Sequence, residues 1–165
     1  MGMVGCFAAL PAAQLAQLQS GERSIEDFLY PDDGDGEPEH SIDVDKAWHG
    51  LHYLLTGTAW GGDAPLCLAV LGGEEFGPDV GYGPARALTA TQVASVAAAL
   101  AGLPADKLAS RYQPADMAKL EIYPDVIWVR DGAEALDYLL ENYQQLVEFY
   151  RDAAARGDAV IQWLS

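Results

Sequence analysis

The sequence predicts an α+β domain in which helices pack on a small antiparallel sheet that includes both terminal strands. Three observations predict it: an alternating apolar run near the start, a second apolar run at the end, and between them several segments with helical spacing and clear stops. The chain has 165 residues, half of them hydrophobic, which suits one core. No repeat or linker divides residues 1–165, so a single domain is expected.

Val4 to Leu10 reads as the first strand, with Val4, Cys6, Ala8 and Leu10 on one face. Pro11 then opens a helix that carries Leu15 and Leu18 and stops at Gly21. Ser24 caps a short turn with Ile25, Phe28 and Leu29, ended by Pro31. Residues 31–39, PDDGDGEPE, combine five acids with Pro and Gly and predict a solvated loop. Asp43 or Asp45 then accepts from the free amides of a helix over Lys46 to Leu55, with Trp48, Leu51, His52 and Leu55 on one stripe. Asp63 opens a short helix through Leu66, Ala69 and Val70, stopped by Gly72-Gly73. The Gly and Pro density from Gly72 to Pro84 predicts an irregular segment with room for one short extended piece.

Thr89-Ala90-Thr91-Gln92 is a capping box for a helix with Val93, Val96, Ala97 and Leu100 inward. Pro104 and Pro114 each restart a short helix, and Glu121-Ile122-Tyr123-Pro124 breaks the second. Asp131-Gly132-Ala133-Glu134 reads as a cap for the longest helix, whose Leu136, Leu139, Leu140, Tyr143, Leu146, Val147 and Tyr150 recur at helical spacing up to Gly157. Val160 to Leu164 forms the last strand, expected beside Val4 to Leu10.

Charge narrows the function classes. The chain carries 25 Asp plus Glu against 9 Lys plus Arg, a net −16, which argues against nucleic acid and anionic membranes as partners. From Glu22 to Asp45 ten acids face one base, Arg23, so more than half of the net charge sits in that stretch. The first base is Arg23 and Pro11, Gln14 and Gln17 break the early apolar run, so no secretory leader is expected and the predicted location is cytoplasmic. Oligomeric state is left open by composition.

Few motifs carry chemistry. Cys6 and Cys67 lie in no paired motif, which excludes a zinc site or a CxxC redox pair; a reactive Cys6 would need a nearby base. Asp45, His49 and His52 share one helical face and allow a metal reading, but HExxH is absent and His52 lies on the apolar stripe, so no metal is assigned. Asp33 to Glu37 fails the EF-hand pattern, with Pro38 and Val44 where Gly and Glu are required. Gly81-Tyr82-Gly83-Pro84-Ala85-Arg86 matches neither a P-loop nor a dinucleotide fingerprint, yet places a Tyr and an Arg on a Gly-rich segment suited to an anionic group. No nucleophile motif and no cofactor motif is present.

Met1 to Gly5, the DxDKxWxxLHxLLTG segment from Asp43 to Gly57, Ala69-Val70-Leu71-Gly72-Gly73 and Glu121-Ile122-Tyr123-Pro124 resemble, in order, the YfbM-like family of uncharacterised bacterial proteins. The resemblance implies a stand-alone α+β domain and carries no activity or catalytic residue with it. Two functions are therefore expected from the residues themselves. One is a non-catalytic binding or inhibitory module, similar to acidic immunity proteins, that docks a basic protein through Asp32, Asp33, Asp35, Glu37 and Glu39. The other is a small-molecule site, with or without catalysis, built from Asp45, Trp48, His52, Tyr82, Arg86, Glu121 and Tyr123.

Overall fold

The computed structural model describes residues 2–31 and 36–165. Its strands are β1 (Gly5–Leu10), β2 (Ser41–Asp43), β3 (Glu74–Asp79), β4 (Pro84–Leu88) and β5 (Ala159–Leu164). They form one antiparallel sheet in the order β2-β1-β5-β4-β3, so the two terminal strands lie side by side near its middle. Among the described residues the helices are α1 (Ala12–Ser20), α2 (Ile25–Leu29), α3 (Trp48–Thr56), α4 (Leu68–Leu71), α5 (Ala90–Ala101), α6 (Ala105–Ala109), α7 (Pro114–Lys119), α8 (Ile127–Asp131) and α9 (Ala133–Arg156).

Alternation along the strands divides the core in two. Phe7, Ala9, Leu88 and Val160 face the larger cluster, against α3, α5 and α9. Ala8, Leu10, Ala85, Ala87, Ala159 and Ile161 face the smaller one, against α1 and α2. The small side chains on that second face let the short helices sit close to the sheet. On the first face α9 buries Ala135, Leu139, Tyr143, Leu146, Tyr150 and Ala153 at three- and four-residue intervals, which covers the sheet with one continuous stripe.

Several helix ends follow the side-chain chemistry that predicts them. The Thr89 hydroxyl accepts from the Gln92 amide at 3.2 Å while the Gln92 side chain accepts from the Thr89 amide at 2.9 Å. Ser24 accepts from the Asp27 amide, and Gly21 and Gly157 adopt left-handed conformations at the ends of α1 and α9. Three regions differ from expectation. Residues 74–88 form the β3–β4 hairpin rather than an irregular segment, because Pro78 sits on an outer strand whose other edge needs no partner. The three residues of β2 pair with β1 immediately after the acidic stretch. A further helix, α8, precedes Gly132, so α9 starts after a chain reversal without a side-chain cap.

One buried polar group holds the larger core to the sheet. Gln162 is 3% exposed; its amide nitrogen donates to the carbonyls of Leu68 and Ala69 and to the Tyr150 hydroxyl, and its oxygen accepts from the Gly72 amide at 3.0 Å. The Tyr150 hydroxyl in turn donates to the Ala69 carbonyl at 2.6 Å. A Gln162→Leu substitution removes the buried side-chain partner of the Gly72 amide and the Leu68 carbonyl, while the Ala69 carbonyl keeps the Tyr150 hydroxyl, and is expected to lower stability by about 3 kcal/mol. Urea unfolding followed by circular dichroism should show that loss as a lower midpoint at unchanged slope.

Candidate functional site

The site grows out of the pleat. Glu75 of β3 lies opposite Arg86 of β4, Arg86 lies opposite Gln162 of β5, and Gln162 lies opposite Phe7 of β1. These four residues therefore form one cross-strand row on the face that carries the larger core. Gln162 and Phe7 end under helices. Arg86 and Glu75 are only partly covered, and a cavity of about 280 Å³ opens above them. Its floor and walls include Trp48, Val70, Leu71, Trp163 and Leu164, with Trp60 and Tyr82 at 66% and 54% exposure.

Each polar wall has a defined anchor. One terminal nitrogen of Arg86 donates to the Leu71 carbonyl at 3.2 Å, and the other to Glu75 Oε1 at 3.3 Å. Tyr82 sits in the β3–β4 turn, and its amide donates to the Leu164 carbonyl at 3.2 Å, which ties the turn to the last strand. Trp48 closes the inner end: its indole N–H donates to the Met3 carbonyl at 2.9 Å. Gly5 makes this approach feasible, since a Cβ there would lie 2.6 Å from the Trp48 Cβ.

Trp60 is positioned through His49. The Tyr123 amide donates to His49 Nδ1 at 2.8 Å, so the Nε2–H donates to the Ala59 carbonyl at 2.8 Å and the tautomer is settled. Burial holds this imidazole below the usual histidine pKa, with the Ala59 contact pulling the other way. The ring stacks on Trp48 at 5.0 Å and meets the Trp60 ring at 4.5 Å, while Trp48 stacks on Tyr123 at 5.4 Å. A continuous run of ring contacts, stacked from Tyr123 through Trp48 to His49 and tilted by 37° at the last step, thus leads to the exposed Trp60.

Of the residues singled out in the sequence for a small-molecule site, Trp48, Tyr82 and Arg86 line this cavity, and Asp45, His52, Glu121 and Tyr123 do not. Tyr123 supports it from behind, through Trp48 and His49. Asp45 is exposed and accepts from the Tyr138 hydroxyl at 2.7 Å, and Glu121 is exposed with a left-handed backbone. His52 is fully buried. Trp60 and Glu75 were not marked by any motif: Trp60 lies in a Gly-rich loop, and Glu75 gains meaning only from its register against Arg86. In the acidic stretch Glu37 and Glu39 are exposed, while Asp32, Asp33 and Asp35 lie outside the described residues. Among the described residues no three His, Cys, Asp or Glu side chains gather as a metal site, and no helix is long and apolar enough to cross a membrane.

Comparisons with known proteins extend these findings. A family described as a domain of unknown function, DUF1877, matches residues 1–163. Protein YfbM of Escherichia coli K12 is 29% identical over 164 residues, spanning 96% of this chain and 95% of its own length. A crystal structure of YfbM from Escherichia coli, a protein of unknown function, shares the fold with a TM-score of 0.75 at 24% identity, over 98% of this chain and 99% of that one.

His52 supplies a pH test of the core beside the site. Neither ring nitrogen has a hydrogen-bond partner among the described residues, and burial pushes the pKa down to about 4, with the Gly61 backbone opposing and the nearby His49 adding to the shift. The unfolded chain takes up this proton near pH 6.5 and the folded protein only near 4. The stabilising effect of neutral His52 is therefore complete above pH 6.5 and lost as pH falls toward 4, a change of about 3 kcal/mol. A His52→Leu variant should match the parent at pH 7 to within about 1 kcal/mol and lose that much less between pH 7 and pH 4, as measured by urea unfolding at each pH.

Proposed function

The chain belongs to the DUF1877 family, and we propose that it is a small-molecule-binding protein whose site is the cavity between Trp48, Trp60, Tyr82 and Arg86. The observation that carries this reading is convergence. α3, the α3–α4 loop, the β3–β4 turn and β4 each bring one of these side chains to a single concave space. A cavity of about 280 Å³ lies near the small end of the roughly 300–1,000 Å³ seen for ligand sites, so the ligand is a single-ring or single-chain molecule. Two large aromatic rings left open to solvent at its rim are costly for a monomer to display and favourable for gripping an apolar ligand.

Binding without turnover suits the groups present. Cys6 lines the cavity, but burial pushes its thiol above the ordinary range, so it stays protonated near neutral pH and is a poor nucleophile. Both nitrogens of His49 are committed to backbone partners, which removes the nearest imidazole as a general base.

A thermal-shift screen of small metabolites tests the reading. A ligand at a hundredfold excess over its dissociation constant adds about 2.7 kcal/mol, which raises Tm by about 5 to 10 °C in a domain of this size. Trp60→Ala and Tyr82→Ala should each weaken the ligand at least about tenfold while the unliganded Tm moves little, because both side chains are exposed. Hits that bind both variants as tightly as the parent would place the site elsewhere.

A further inference from the structure

Resting on that reading of the cavity, we infer that its ligand is a free α-amino acid with a bulky apolar side chain, held by its carboxylate on Arg86 and its ammonium on Glu75. The guanidinium has five N–H groups; one donates to the Leu71 carbonyl and one to Glu75, and the other three have no partner among the described residues. The second oxygen of Glu75 has no partner among the described residues. Opposite charges thus stand side by side at 3.3 Å on the cavity wall. An α-amino acid carries the complementary pair on one carbon, so both ends engage at once.

Charge favours the zwitterion over simpler ions. A lone anion would meet Glu75 and the field of a chain at net −16, and a lone cation would face the guanidinium. A ligand with both charges satisfies each partner and adds no net charge. Beyond the pair the floor is apolar, with Trp48 and Val70 below and Trp60 and Tyr82 at the rim, so the side chain that fits is bulky and nonpolar rather than a hydroxyl-rich group.

Calorimetric titration of the whole protein with L-phenylalanine, L-leucine, N-acetyl-L-phenylalanine and L-phenylalaninamide decides the matter. The two blocked forms are expected to bind at least about tenfold more weakly than L-phenylalanine, since each loses one charged hydrogen bond. Glu75→Gln should weaken L-phenylalanine about tenfold without weakening the N-acetyl form, an anion that Glu75 repels, whereas Arg86→Lys should weaken both. Equal affinity for free and blocked forms, or no binding of either amino acid, overturns the inference. If phenylacetate binds instead and depends on Trp60, the cavity is a ligand site for another class. If every ligand is indifferent to Trp60→Ala and Tyr82→Ala, the cavity reading falls as well.

Discussion

The pairing of β1 with β5 is the constraint on which the rest of the structure depends. Gly5 lies opposite Leu164 and Leu10 opposite Ala159, so the centre of the sheet joins residues from the two ends of the chain. β2 adds to one side of this pair and β4 to the other, and α3 and α9 have no surface to cover until it forms. Closing so long a stretch of chain is entropically unfavourable, and only the combined burial on both faces repays it. The cavity inherits the same dependence: Gly5, Cys6 and Phe7 line it from the first strand, and Gln162, Trp163 and Leu164 from the last.

What could be read from the sequence divides along physical lines. Helices with a side-chain cap, a Pro start or a Gly stop were legible, as at Ser24, Thr89, Pro114 and Gly157, because those signals act within one turn. Both terminal strands were legible from their alternation and apolar content. β3 was not, since Glu74-Glu75-Phe76-Gly77-Pro78-Asp79 has neither alternation nor β-propensity, and its pairing is imposed by β4. β4 itself, Pro84 to Leu88, was hidden by the Gly-rich turn before it. The helical stripe through Trp48, Leu51, His52 and Leu55 was also only half the account, because every residue from Trp48 to Leu55 is buried and α3 has no solvent face.

The candidate site was legible in the same partial way. Tyr82 and Arg86 stood out because a Gly-rich segment carrying them looks built to receive a polar group, and Trp48 because it anchored an apolar stripe. Their meeting depends on strand register, which a one-residue slip of β3 or β5 would undo by turning Glu75 or Gln162 to the other face. Glu75 therefore had no local signature at all. Asp45 and Glu121 were attractive for their neighbours in sequence, yet both are exposed and neither lines the cavity.

His49 connects the rigid and the exposed parts of the site. Unlike His52 on the same buried helix, His49 is satisfied by its surroundings, and the donor and acceptor come from two loops rather than from the helix. The Tyr123 amide takes one nitrogen and the Ala59 carbonyl the other, so the imidazole joins the segment after α7 to the loop that presents Trp60. Only the neutral ring serves both, because a protonated Nδ1 could no longer accept from Tyr123. Stacking on Trp48 fixes the ring plane as well, and the tilted contact with Trp60 gives an exposed tryptophan a defined orientation without burying it. The rim of the cavity is thus set by the same buried packing that holds α3 against the sheet. Any ligand that grips Trp60 is coupled through His49 to the core rather than to a loop alone.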